Sequence, residues 1–215
     1  MSQRLFVVLL IGTLGFAARA AGQVPTDPST PPPPPPPPYA GGHAHGGPGP
    51  DTGQAPYTPA DVHFMSGMIL HHAQAILMAG WAPTHEANPS IRALCERIDV
   101  GQRDEIALMS RWLADRNQPV PDPAHAMMPG MLTDEQLAQL DQARGPEFDR
   151  LFLRFMIQHH EGAITMVNTL FASPGAGEED NVYRMAANIF ADQTTEIERM
   201  HRMLATLLFT GFPSQ

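Results

Sequence analysis

The chain has 215 residues and a net charge of −9, from 13 basic residues, all arginine, against 22 acidic ones. With no basic patch, that balance argues against nucleic acid or an anionic membrane surface as a partner. Cys95 is the only cysteine, so no intramolecular disulfide contributes to stability.

Residues 1–20 place Arg4 before the apolar run Leu5–Ala18 and end on Ala18-Arg19-Ala20, a small-x-small cleavage site. This is the layout of a secretory signal, which predicts a periplasmic or secreted chain starting near Ala21. Loss of Arg4 and Arg19 would leave 11 basic against 22 acidic residues, a charge of −11. The apolar run is shorter than the roughly 20 residues that span a bilayer, and no later stretch is apolar enough, so no membrane span is expected in the mature chain.

Residues 21–57 read as a tether. Pro31–Pro38 favours an extended left-handed helix that would act as a stiff spacer of about 25 Å. The Gly-rich stretch Gly41–Gly47, with His43 and His45, should be flexible.

The folded region is expected over residues 58–210. Thr58-Pro59-Ala60-Asp61 is a capping-box arrangement with proline at the first helical position, predicting a helix over 59–80 that breaks at Trp81-Ala82-Pro83. A second helix begins at Asn88-Pro89-Ser90, carries apolar residues at 91, 94, 98, 106 and 113, and stops before Pro119. Cys95 lies on its apolar side, as a buried small hydrophobe would. Residues 117–131 form a Pro- and Met-rich loop, and Thr133 caps a short connecting helix that ends by Gly145. A third long helix should run from Pro146 to about Phe171, and a fourth from about 180 to 208 after the Gly-rich turn Pro174–Gly177. Nothing alternates with period two. Four long amphipathic helices in two hairpins predict an all-α fold, an antiparallel four-helix bundle with a pseudo-two-fold axis.

The pseudo-symmetry is written in the sequence. D-x-x-F-x-x-x-M-I-x-H-H-x-x-A-I-x-M occurs at Asp61–Met78 and again at Asp149–Met166, with nine of eighteen positions identical at an offset of 88. A shorter repeat, Q-x-x-E-I-x-x-M, follows each copy at Gln102–Met109 and Gln193–Met200. The chain is a duplicated helical hairpin.

Helical positions three and four apart share a face. Phe64, Met68, His71, Ala75 and Met78 therefore form one seam with His72 on its flank. Phe152, Met156, His159, Ala163 and Met166 form its copy, flanked by His160. On the partner helices Gln102, Glu105 and Met109 share a face, as do Gln193, Glu196 and Met200. Polar side chains at core spacing must contact each other or an ion, because leaving them unpaired costs several kcal/mol.

Two readings of this layer stay open. In one, the histidines hydrogen-bond Glu105 and Glu196 and the methionines fill the core, giving a structural or adaptor bundle. In the other, imidazole and thioether donors form a soft set that favours Cu(I), with Glu105 and Glu196 orienting the imidazoles. The loop adds His125, Met127, Met128 and Met131 as a further candidate capture site, or as packing. A dinuclear iron oxidase would need Glu-x-x-His on two helices, and no helix here carries it, which leaves only a variant site of four His and two Glu. No nucleophile-base set, phosphate loop or zinc-type spacing is present.

The doubled M-I-x-H-H-x-x-A-I-x-M, the M-P-G-M-L-T loop and Q-x-x-E-I-x-x-M resemble the bacterial family called domain of unknown function 305, over about residues 59–208. The resemblance implies a ferritin-like four-helix fold and, from several exported members, copper binding or copper tolerance. A copper-handling role would make a metal ion and another envelope copper protein the expected partners. It makes His71, His72, His159 and His160 the motif histidines and Met68, Met109, Met156 and Met200 the motif methionines.

Overall fold

The computed structural model describes residues 56–119 and 127–210. The expected signal segment, the tether and His125 lie outside the described residues. Among the described residues five helices follow one another: α1 (Pro59–Gly80), α2 (Pro89–Ala114), α3 (Asp134–Gln142), α4 (Gly145–Ala172) and α5 (Asp180–Thr210). The four long ones form the expected antiparallel bundle, α1 packing on α2 and α4 on α5, with α1 and α4 joining the hairpins and α3 resting on them. No described helix is long and apolar enough to cross a membrane.

The helix starts follow from local chemistry. Thr58 caps α1 in a reciprocal capping box with Asp61, Asn88 caps α2, and Thr133 with Gln136 caps α3. The repeated aspartates also tie the two hairpins together. Asp61, fully buried, also accepts the backbone N–H of Gly177 at 2.7 Å, tying the start of α1 to the α4–α5 turn. Asp149 accepts the N–H of Asn88 at 3.1 Å, tying the start of α4 to the α1–α2 turn. Each hairpin's turn is thus pinned by the other hairpin's first helix.

The core has two apolar clusters. One gathers the first half of α1 and the second half of α4 with the facing ends of α2 and α5, around Phe64, Met68, Met109, Val167 and Ile189. The other gathers the opposite ends, around Met78, Leu94, Ile98, Phe148, Phe152, Met156 and Met200. Burying each large side chain contributes about 1.5–3 kcal/mol. Between the two clusters lies the histidine layer.

Candidate metal centre

The seam residues of both repeats are buried as their spacing requires, and His71, His72, His159 and His160 are all fully inaccessible. His72 and His160, expected on the flank of the seam, are as deep as the other two. Because α2 and α5 stand beside α1 and α4, the flanking imidazoles meet their acids: His72 Nε2–H donates to Glu105 Oε2 at 2.6 Å and His160 Nε2–H to Glu196 Oε2 at 2.9 Å. His71 and His159 face each other across the axis with ring centroids 3.7 Å apart.

From Met127 on, the methionine loop lies across the flank of the bundle, over the histidine layer. Residues 127–132 form a strap on the α1–α4 face. His71 Nε2–H donates to the Pro129 carbonyl at 3.1 Å. The Gln74 amide clamps Leu132 twice, accepting its N–H at 2.7 Å and donating to its carbonyl at 3.0 Å. Gln158 donates to the Gly130 carbonyl. Gly162 lets the strap backbone pass so closely that any Cβ there would collide with Pro129, and the Met128 sulfur sits 3.0 Å from the Cβ position of Gly67, one turn before His71. The Met131 sulfur accepts the Met128 N–H at 3.2 Å. Gln74 and Gly162 are equivalent in the two repeats, 88 positions apart, so the strap breaks the symmetry there. That mismatch is the sequence signal that would have found both.

Burial favours the neutral form of His71, His159 and His160. It pushes His71 down to about 3, helped by the charge of His72 and opposed by the Pro129 carbonyl. It pushes His159 well below the ordinary value, with His71 adding to the effect, and lowers His160 against the pull of Glu196. In a neutral ring whose Nε2 carries the proton, Nδ1 holds a lone pair. The Nδ1 atoms of His71, His72 and His160 are buried without a partner, and both ring nitrogens of His159 are too. Gln102 Nε2 and Oε1 and Gln193 Oε1 are likewise unpartnered, so eight of the nine such atoms among the described residues belong to this layer; the ninth is Arg116 Nε. Each buried orphan of this kind costs about 1–3 kcal/mol. A layer built of buried ring nitrogens without partners suits a metal ion that takes lone pairs.

Among the described residues, no three His, Cys, Asp or Glu side chains are grouped so that they could hold a metal ion by themselves. The thioethers flank the layer: Met68 and Met109 in one apolar cluster, Met156 and Met200 in the other, all four with no exposed surface. Met128 packs partly buried against the first of these.

A family model described as "Domain of unknown function (DUF305)" matches residues 61–204. Among solved structures, a DUF305 fragment from Deinococcus radiodurans is 31% identical with a TM-score of 0.63, covering 71% of this chain and 99% of that one. A candidate secreted DUF305 protein from Streptomyces coelicolor is 26% identical with the same TM-score, covering 69% and 93%. CopM in its Cu(I)-bound form is 30% identical with a TM-score of 0.57, covering 68% and 96%; CopM is also known with Cu(II) and with silver. Among curated proteins, the uncharacterized protein L153 of Acanthamoeba polyphaga mimivirus is 36% identical over 56 residues, 26% of this chain. That match spans only 37% of the relative's length.

Proposed function

The chain belongs to the DUF305 family, and we propose that it is an exported protein that binds Cu(I) through imidazole and thioether donors, buffering the ion or handing it to another envelope copper protein rather than catalysing a reaction. The observation that carries this reading is the set of buried Nδ1 lone pairs left without partners by Glu105, Glu196 and the Pro129 carbonyl, each of which holds the opposite nitrogen of its ring. An acceptor on one imidazole nitrogen fixes the tautomer and raises the basicity of the other, which is the usual support of a metal-bound histidine.

Among the described residues no three His, Cys, Asp or Glu side chains are grouped to hold an ion, so the proposed site would need sulfur, with His71, His72, His159 and His160 as nitrogen donors and Met68, Met109, Met156, Met200, Met128 and Met131 as the sulfur pool. Such a set favours Cu(I), a soft ion. The similarity to CopM, which has been obtained with Cu(I), Cu(II) and silver bound, supports copper as the ion. The same absence weighs against a four-histidine, two-glutamate oxidase centre. Export is proposed from the signal-like residues 1–20, in keeping with the Streptomyces coelicolor relative. His125, which lies outside the described residues, remains part of the proposed capture segment.

A second reading is favoured by the two completed His–Glu pairs: a bundle whose polar layer sets helix register and binds no metal. The test is an anaerobic titration of the full chain with Cu(I) against a coloured competitor, beside a variant with all four layer histidines changed to alanine and one lacking His43 and His45. Tight uptake lost only in the layer variant supports copper binding in the bundle. No competition by any of the three establishes the register-setting reading, and loss only without His43 and His45 moves the site to the tether.

A further inference from the structure

The two faces of the histidine layer differ. On one, the strap is clamped shut by Gln74, Gln158 and the close approach at Gly162. On the other, α2 and α5 barely meet, and a groove of about 560 Å³ opens between them. Both helices line it with residues of the shorter repeat, Gln102 and Glu105 from α2 and Gln193 and Glu196 from α5, so the groove lies on the pseudo-two-fold axis.

Glu105 and Glu196 span the boundary. Their side chains are 17% and 13% exposed, while the His72 and His160 rings they bond are fully inaccessible. A carboxylate reached by solvent therefore stands one hydrogen bond from a buried imidazole on each half. The mouth is acidic, with Glu96 and Asp192 beside these two, and Arg97, the one basic residue lining it, is paired with Glu196 Oε1 at 3.5 Å, which leaves Glu105 the freer of the two carboxylates. Burial and the charges of Glu105 and Glu196 raise the Asp192 carboxyl, and Arg97 opposes them. Clefts lined by one sign of charge concentrate ions of the opposite sign. Deeper in, Gln102 and Gln193 are each 3% exposed and line the groove with amide atoms that have no protein partner. Oxygen donors thus run from solvent to the layer.

We propose that the α2–α5 groove is the port through which a monovalent copper ion enters and leaves the histidine layer, with Glu105 and Glu196 as its receiving oxygens and the Gln102 and Gln193 amides as the next contacts inward. This rests on the copper-binding reading above. The ion changes ligands without changing oxidation state, so no electron or co-reactant is needed.

Gly101 offers a clean test. It lines the groove on α2, is exposed, and a Cβ added to it meets nothing within 4 Å. A helical glycine replaced by another residue gains helix propensity, so Gly101→Trp should fold. Thr195→Trp narrows the groove from α5, and Leu108→Trp, at an exposed position of α2 that does not line the groove, is the control. The measurement is stopped-flow transfer of Cu(I) from a coloured chelate to the full chain, and back to excess chelator, together with the equilibrium affinity. Both groove variants should slow uptake and release by about tenfold or more with Kd unchanged, since obstruction alters rates alone, and Leu108→Trp should match the parent. Equal rates in all four proteins would overturn the port while leaving copper binding intact. Slowing by Leu108→Trp as large as by the groove variants would also overturn it, as would slowing by Met128→Ala alone, which would place entry at the strap. A parent that takes up no Cu(I) at equilibrium instead fails the copper reading itself.

Discussion

His71 and His159 face each other across the centre of the bundle with ring centroids 3.7 Å apart and planes tilted by 36°. They occupy the same position of the two repeats, so the pseudo-two-fold axis brings each against its own copy. Two imidazolium ions at that distance, out of water, would repel strongly. The native layer therefore exists only with these rings neutral.

Acid should unfold the protein through this layer. The folded values of His71, about 3, and of His159 and His160 lie below the ordinary 6.5. As pH falls the unfolded chain takes up protons first. Stability is full above pH about 6.5 and declines toward the folded values, by up to about 1.4 kcal/mol per pH unit for each such histidine. The urea midpoint should hold between pH 8 and 7 and drop steadily from about 6.5 to 4.5, less steeply in His159→Leu. A midpoint indifferent to pH over that range would contradict the burial of neutral rings.

Removing the clamp on the strap should be costly. Gln74→Ala leaves the N–H and carbonyl of buried Leu132 without partners, which should cost about 1–3 kcal/mol. Amide exchange at Leu132 should accelerate more than global unfolding explains. Unchanged exchange there would mean that the strap is held by other contacts.

Two glycines of the helices should respond with opposite sign. Gly162→Ala drives a methyl into the Pro129 carbonyl and should destabilise by about 1–3 kcal/mol. Gly101→Ala enters open space and should stabilise by about 0.5–1 kcal/mol. Thermal midpoints of the two variants check both, and similar shifts would dismiss the close strap crossing.

Ligand linkage gives an independent reading of copper binding. Anaerobic Cu(I) at about 100 times Kd should add about 2.7 kcal/mol to the stability of the folded chain, and a chelator should remove it. The variant lacking all four layer histidines should show no such gain. A copper-dependent rise that survives in that variant would place the ion elsewhere.

Cys95 should be inert in the native state. It is 3% exposed, and burial, with the Asp149 charge adding, pushes its thiol up to about 12, leaving almost no thiolate to react. A thiol reagent should label it only as fast as the chain unfolds. Prompt labelling under native conditions would show that α2 is open at that point.

The helix starts at Thr58, Asn88 and Thr133 and the burial of both seams were legible because caps and 3.6-residue spacing are local properties of the chain. The second partner of Asp61, the N–H of Gly177, was not legible, since it joins residues 116 positions apart that only the docking of the hairpins brings together. The strap shows the same limit. Its methionines stand out in the sequence, but whether they cover an end or a flank depends on Gln74, Gln158 and Gly162, whose roles appear only once α1 and α4 are side by side.

What the sequence by itself determined is the duplication, the helical hairpins and the placing of two His pairs and two Gln-Glu pairs at core spacing, because periodicity and capping act over a few residues. Which ring nitrogen of each histidine is held, which face of the layer the strap closes and which face the α2–α5 groove leaves open were decided by the tertiary structure. Those properties depend on distances between helices, and such distances are set by how whole faces pack.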